Sequence, residues 1–261
     1  MDLGLKGKRA AISGASQGIG YAIARALAAE GCNVALCARG EERLQRARQD
    51  IEKLGVKVVS VIADLGSEDG CKTFIEQAAA GLGGLDILVN NVGGMIPGTL
   101  ASLSASDWNR VLSVNLMATV YATKYAVPFL KQGKTPRILN VSGVSGKQLL
   151  PGSLTTTLPN AAIIGFSKLM AGELGAAGIT VNNICPGLTN TESWGPRAEA
   201  MAKVRGVTAD QVRASIAAQT LLGRWAEPEE MGHVAAFLVS EKNSYMTGTT
   251  IEVCGGFNRY I

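Results

Sequence analysis

The stretch Gly14-Ala15-Ser16-Gln17-Gly18-Ile19-Gly20 is the part of this chain best equipped to meet a ligand. Glycine lets backbone approach a bulky anion closely. An apolar-faced run follows at once (Ile23, Ala24, Leu27, Ala28), so the glycines open a helix. A helix N-terminus offers unpaired N–H groups and the positive end of the peptide dipole, which together suit a phosphate. A tight strand-to-helix turn with no ligand is the bland alternative; the position of the three glycines, between a first strand and a first helix, argues against it. Titratable chemistry is scarcer. The only histidine, His233, lies in a helical run late in the chain, so neither a metal cluster nor a Ser-His-Asp hydrolase is expected. The five cysteines (Cys32, Cys37, Cys71, Cys185, Cys254) form no C-x-x-C, and read as buried free thiols in a reducing, cytoplasmic setting.

The elements that must carry these residues alternate regularly. Short apolar or β-branched runs occur at 9–13, 33–38, 57–62, 86–90, 137–142, 179–184 and 249–253. Helical patterns lie at 18–30, 41–54, 68–81, 106–131, 160–177 and 228–240. Continuous apolar strands alternating with amphipathic helices predict an α/β fold: a doubly wound, Rossmann-like parallel sheet of about seven strands with helices on both faces. No linker or repeat divides residues 1–261, so one domain is expected. The pattern breaks over 188–225, where short helices at 198–204 and 209–219 suggest a lid-like insertion over a substrate.

Composition narrows the partners. With 47% hydrophobic and 18% charged residues the chain is not disordered. A net charge of +4, scattered along the sequence, gives no footprint for nucleic acid. The most apolar stretch, 111–130, is interrupted by Ser113, Asn115, Thr119, Thr123 and Lys124, and reads as a buried helix rather than a membrane span. The first residues have no apolar signal core, so export is not indicated.

The glycine spacing is G-x-x-x-G-x-G rather than G-x-G-x-x-G, and it resembles that of the short-chain dehydrogenase/reductase superfamily. Asn90-Asn91-Val92-Gly93, Asn115, the strand Ile138 to Ser142, Ser167-Lys168, the segment Gly178 to Gly187 and the closing run Thr247 to Gly256 resemble the family's motifs in the same order. The resemblance implies a nicotinamide cofactor, a small-molecule substrate and a homotetramer or homodimer. It also implies adenosine contacts from Asp64, Leu65, Asn91 and Gly93, and nicotinamide-side contacts from Pro186, Gly187, Thr189 and Thr191. The second strand ends at Arg39 where an acidic residue would bind both ribose hydroxyls of NAD. A guanidinium suits a 2′-phosphate, and Ser16 adds a hydroxyl, so NADP(H) is favoured over NAD(H).

The family's catalytic group is Asn, Ser, Tyr and Lys. Matching its Y-x-x-S-K motif to Ser167-Lys168 assigns Lys168 to the cofactor ribose and leaves Ile164 at the tyrosine position. In N-x-S-S-x-x-G the second serine is replaced by Gly143; Ser142 and Ser145 flank it, and Ser142 is taken as orienter of the substrate oxygen. Asn115 is expected to support a water relay. The interval from that motif to Lys168 is longer than the family usually shows, and the surplus is assigned to a loop over 147–159 that contains Pro151 and Thr155-Thr156-Thr157. Met95, Ile96, Pro97, Trp194 and Trp225 are candidate pocket walls, or core; the aromatic tail 257–261 is a candidate subunit contact. Three accounts stay open: an NADP-dependent oxidoreductase acting on a carbonyl or secondary alcohol with an atypical proton donor, a non-redox lyase or isomerase using Lys168, and a cofactor-binding protein with little or no turnover.

Overall fold

A computed structural model describes residues 1–148 and 153–259. Seven parallel strands form one sheet in the order β3-β2-β1-β4-β5-β6-β7. The strands are β1 (Arg9–Ser13), β2 (Asn33–Ala38), β3 (Val58–Ile62), β4 (Ile87–Asn90), β5 (Arg137–Val141), β6 (Thr180–Pro186) and β7 (Thr250–Val253). Their bounds lie within two residues of those expected from the apolar runs. The middle strands are buried on both faces, as uninterrupted apolar runs require.

Helices α1 (Gly18–Ala29), α2 (Glu41–Glu52) and α9 (Pro228–Val239) cover one face. Helices α3 (Glu68–Leu82), α5 (Ala118–Leu130) and α6 (Leu154–Leu174) cover the other. The end of α3 is fixed locally: Ser67 Oγ accepts the Gly70 N–H at 3.1 Å, and Gly83, at φ 78°, turns the chain out at its C-terminus. The expected single helix over 106–131 is instead α4 (Ala105–Leu112) joined to α5 by a π-type turn at Ser113–Met117. That extra residue per turn rotates Asn115 inward.

Helix α6 starts six residues earlier than expected. The threonine run is therefore helical rather than an extended loop, with Thr156 Oγ1 donating to the Ser153 carbonyl at 3.0 Å. Pro151 of the expected loop, and the end of the aromatic tail, lie outside the described residues. Over 188–225, α7 (Trp194–Arg205) and α8 (Ala209–Ala217) enclose a small apolar cluster of Ala198, Ala202, Val212 and Ile216. Trp194 and Trp225 meet edge to face against it at 4.7 Å. A bridge between Thr189 and Ala226 ties both ends of the segment together.

Candidate active site

Strand order reverses between β1 and β4, and the loops leaving their carboxyl ends part to form a crevice. Two contiguous chambers of about 460 and 270 Å³ open along it, sharing Ile19, Asn91, Gly93, Thr191 and Arg197.

The larger chamber is built from the glycine loop. Gly14 and Gly18 have φ of 63° and 58°, left-handed values that disfavour any side chain. A Cβ on Gly20 would lie 2.3 Å from both the Gly14 carbonyl oxygen and Asn91 Nδ2. Gly20 is thus required for packing of the loop on itself and does not line the chamber. Asn91 serves the same end: its Nδ2 donates to the Ser13 and Gly14 carbonyls, each at 3.2 Å, while the Ser13 hydroxyl accepts its N–H at 2.8 Å. The loop is held open, and Ser16, Gln17, Gly18 and Ile19 face the chamber at the start of α1. Arg39 and Arg43 stand exposed at its far side beside Gly40, and Asp64 and Leu65 wall it after β3. Arg43 donates to Gln17 Oε1 at 2.7 Å, which links α2 to the glycine loop; spacing alone gave no sign of it. A backbone cradle flanked by two guanidinium groups fits a dinucleotide with an added phosphate.

The smaller chamber holds Asn115, Ser142, Gly187, Thr189 and Thr191 of the expected residues. Pro186 is the buried last residue of β6 and does not reach it. Asn115 clamps a loop: Oδ1 accepts the Gly94 N–H at 2.7 Å, Nδ2 donates to the Gly94 carbonyl at 2.7 Å and to the Thr155 carbonyl at 3.3 Å. Ser142 Oγ accepts from Asn183 Nδ2 at 2.9 Å and lies 3.1 Å from Cys185 Sγ. Burial pushes the Cys185 thiol up, against the hydrogen bonds from Ser142 and Asn183, so it stays a neutral neighbour.

Two further residues complete this chamber: Thr156, which the sequence placed in an extended loop, and Asn160, which sequence reasoning missed. Thr156 and Asn160, four apart on α6, both line it. Asn160 Nδ2 donates to Ser145 Oγ at 2.9 Å and fills the space beside Gly143, where a Cβ would meet it at 2.7 Å. The cleft-facing pair at the family's Tyr/Lys spacing is therefore Thr156 and Asn160.

The assignment of Lys168 is corrected. Its side chain is exposed beside Gly248, whose N–H donates to the Val181 carbonyl near the start of β6, at the opposite end of the strand from the crevice. Ser167 is buried behind the sheet, donating to the Ile163 carbonyl and accepting from Asn140 Nδ2. Ile163, not Ile164, faces the chamber. Met95 and Trp194 also line it, while Ile96, Pro97 and Trp225 do not. Lys147 is paired with Glu252. The described residues contain no group of three metal-ligating side chains, and no helix among them is long and apolar enough to cross a membrane.

Residues 14–258 match the sequence pattern of a family described as enoyl-(acyl carrier protein) reductase. The chain is 34% identical to the 3-oxoacyl-[acyl-carrier-protein] reductase FabG of Aquifex aeolicus, over 98% of this chain and 99% of that one. Among solved structures it is similar to L-sorbose reductase from Gluconobacter frateurii complexed with NADPH and L-sorbose, with TM-score 0.96, 33% identity and full coverage of both chains. It is also similar to a short-chain dehydrogenase from Burkholderia cenocepacia in complex with NADP, with TM-score 0.88 and 31% identity over 97% of this chain and 99% of that one. The seven-stranded order, the glycine loop and these matches agree: the chain belongs to the short-chain dehydrogenase/reductase family of oxidoreductases.

Proposed function

We propose that the protein is an NADP(H)-dependent oxidoreductase that interconverts a carbonyl and a secondary alcohol, with the proton exchanged through solvent rather than a tyrosine. One observation carries this: a single crevice joins a glycine cradle and two arginines to a second chamber lined by small polar side chains. The glycine loop and the start of α1 hold the diphosphate through backbone N–H groups. Arg39, with Arg43 and Ser16, binds the 2′-phosphate, which favours NADP(H) over NAD(H). When bound, the nicotinamide supplies or accepts the hydride.

The chain's own residues then orient the substrate and its proton path. Ser142 and Thr156 present hydroxyls, and Asn160 a carboxamide, to the smaller chamber. None titrates near neutral pH, so they hold a water or the substrate oxygen rather than act as the acid. Asn115 acts by positioning, since its carboxamide is committed to Gly94 and Thr155. The segment 188–225 serves as a lid that brings Thr191, Ser193 and Trp194 to the chamber. Exposed Leu158 and Leu169 on α6, 52% and 71% accessible, support a homodimer or homotetramer built on that helix. Light scattering at micromolar concentration tests this, and a strict monomer refutes it. The free cysteines fit a reducing cytoplasm.

A second reading, cofactor binding without turnover, is favoured by the same Thr156 and Asn160, which remove the usual acid and its partner. The lyase or isomerase reading loses its charged group with Lys168 outside the chamber. Screening carbonyls with deuterium-labelled NADPH, and weighing both products, separates the two surviving readings. Deuterium in a product alcohol supports the oxidoreductase; tight NADPH binding with no transfer across a broad panel supports the second. Tighter binding of NADH than NADPH overturns the role of Arg39.

A further inference from the structure

Among the described residues, Arg197 is the only charged side chain lining the smaller chamber, and no carboxylate among them pairs with it. It projects from the first turns of α7, half-buried, with its guanidinium carbon 5.5 Å from the centre of the Trp194 ring. An aromatic face orients a guanidinium without neutralising it. Burial lowers its pKa with no acidic neighbour to offset the cost. The chain elsewhere pairs its cations readily, as Arg9 does with Asp86 and Arg224 with Glu230. A lone, partly desolvated guanidinium in a chamber of small hydroxyl and carboxamide groups is a site waiting for an anion.

We infer that Arg197 binds the carboxylate of the substrate, and that the substrate class is a short oxo acid. This rests on the oxidoreductase reading above. Ser142, Thr156 and Asn160 lie on the β5 and α6 side of the chamber and Arg197 on the α7 side, so one small molecule is held by its carbonyl oxygen at one end and its carboxylate at the other. The apolar walls Met95, Val141 and Ile163 leave room for a short aliphatic tail. In the forward direction the carbonyl carbon gains a hydride from NADPH and its oxygen a proton from solvent, giving the hydroxy acid and NADP⁺. Arg197 also borders the larger chamber, so the rival anion is a phosphate of the cofactor.

The test is calorimetric and independent of turnover. Protein saturated with NADP⁺ is titrated with oxamate and acetoacetate, and with the neutral counterparts oxamide and methyl acetoacetate. The expected result is that at least one anion binds roughly tenfold or more tighter than its neutral counterpart, the scale of a charge-assisted hydrogen bond. Arg197→Met removes that preference and leaves NADP⁺ affinity within about twofold, and Arg197→Lys retains part of it because charge remains without the fork. Anion preference persisting in Arg197→Met overturns the inference. So does a large loss of NADP⁺ affinity in that variant with no change in anion preference, which assigns the arginine to the cofactor. Absence of preference in the wild-type protein overturns both the role of Arg197 and the substrate class, and leaves the oxidoreductase reading standing. Failure of the wild-type protein to bind NADP⁺ overturns the parent reading, and this one with it.

Discussion

Gly143 and Asn160 form a matched pair, and a double-mutant cycle measures how tightly. Gly143 has φ −168°, extended backbone that any residue adopts, so a serine there meets no backbone strain. Its Cβ would instead lie 2.7 Å from Asn160 Nδ2, well inside contact distance. Gly143→Ser must therefore displace a carboxamide that donates to Ser145 Oγ, which is itself buried. Overpacking costs about 1–3 kcal/mol, and the lost hydrogen bond about 1 kcal/mol more. Asn160→Ala alone loses only the hydrogen bond, about 1 kcal/mol. In the Asn160→Ala background the space is empty, so Gly143→Ser becomes nearly neutral. The coupling energy is then about 2–4 kcal/mol, at and above the upper end of the range for residues in contact. Urea unfolding of the wild type, both single variants and the double variant supplies all four corners of the cycle. Equal costs of Gly143→Ser in the two backgrounds would refute the pairing, and with it the assignment of Asn160 to the position beside the strand end.

Restoring the missing acid should follow the corrected register. Thr156→Tyr with Asn160→Lys and Gly143→Ser raises hydride transfer by about 10²–10⁴-fold if proton delivery limits the rate, whereas Lys168→Met leaves both transfer and NADPH affinity within about twofold; single-turnover fluorescence reads both. Gly20→Ala, whose methyl would sit 2.3 Å from the Gly14 carbonyl oxygen, costs about 3 kcal/mol or more and weakens NADPH binding, while Gly172→Ala, in open space on α6, stabilises by about 0.5–1 kcal/mol; thermal unfolding with and without NADPH distinguishes them. Glu230 is held down to about 2 by the Arg224 guanidinium and the Glu227 N–H. A depressed carboxylate contributes stability above its ordinary pKa and loses it as pH falls toward the folded value. The urea midpoint difference between wild type and Glu230→Gln should thus be largest at neutral pH and shrink between pH 4.5 and pH 2.

Most of the scaffold was legible because its signals are local. An apolar run bounded by turn residues marks a buried strand, and seven such runs gave seven strands within two residues at either end. The glycine loop was legible for the same reason, since left-handed Gly14 and Gly18 and the close contact of Gly20 are demands that only glycine meets. Asn91 was placed at the right loop, but its work as a clamp on that loop was not legible: its Nδ2 holds the Ser13 and Gly14 carbonyls while the residue also lines the crevice. Arg197 and Asn160 gave no such local signal, and Thr156 only as one hydroxyl of a run read as loop: a lone arginine on a polar helix reads as solvated, and only tertiary packing turned these three to one chamber.

Lys168 shows how a dipeptide misleads when helix phase is ignored. It lies eight residues beyond Asn160 on the same helix, about 12 Å further along and about 80° around the axis. No side chain so placed reaches the crevice that Asn160 lines. The error began at Pro159, which, with three β-branched threonines before it, reads as loop and hides the first turns of α6. A proline inside a helix deprives the carbonyl four residues earlier of its donor. Here that carbonyl belongs to Thr155, and Asn115 Nδ2 donates to it. Thr155 is fixed at its other end as well, its hydroxyl donating to the Ile96 carbonyl at 2.8 Å. The π-type turn that buries Asn115, the loop at Gly94 and the start of α6 are thus one hydrogen-bonded unit. Asn115 thus seats a proline-bearing helix, and Thr156, one residue beyond the supported carbonyl, is delivered to the chamber by that support.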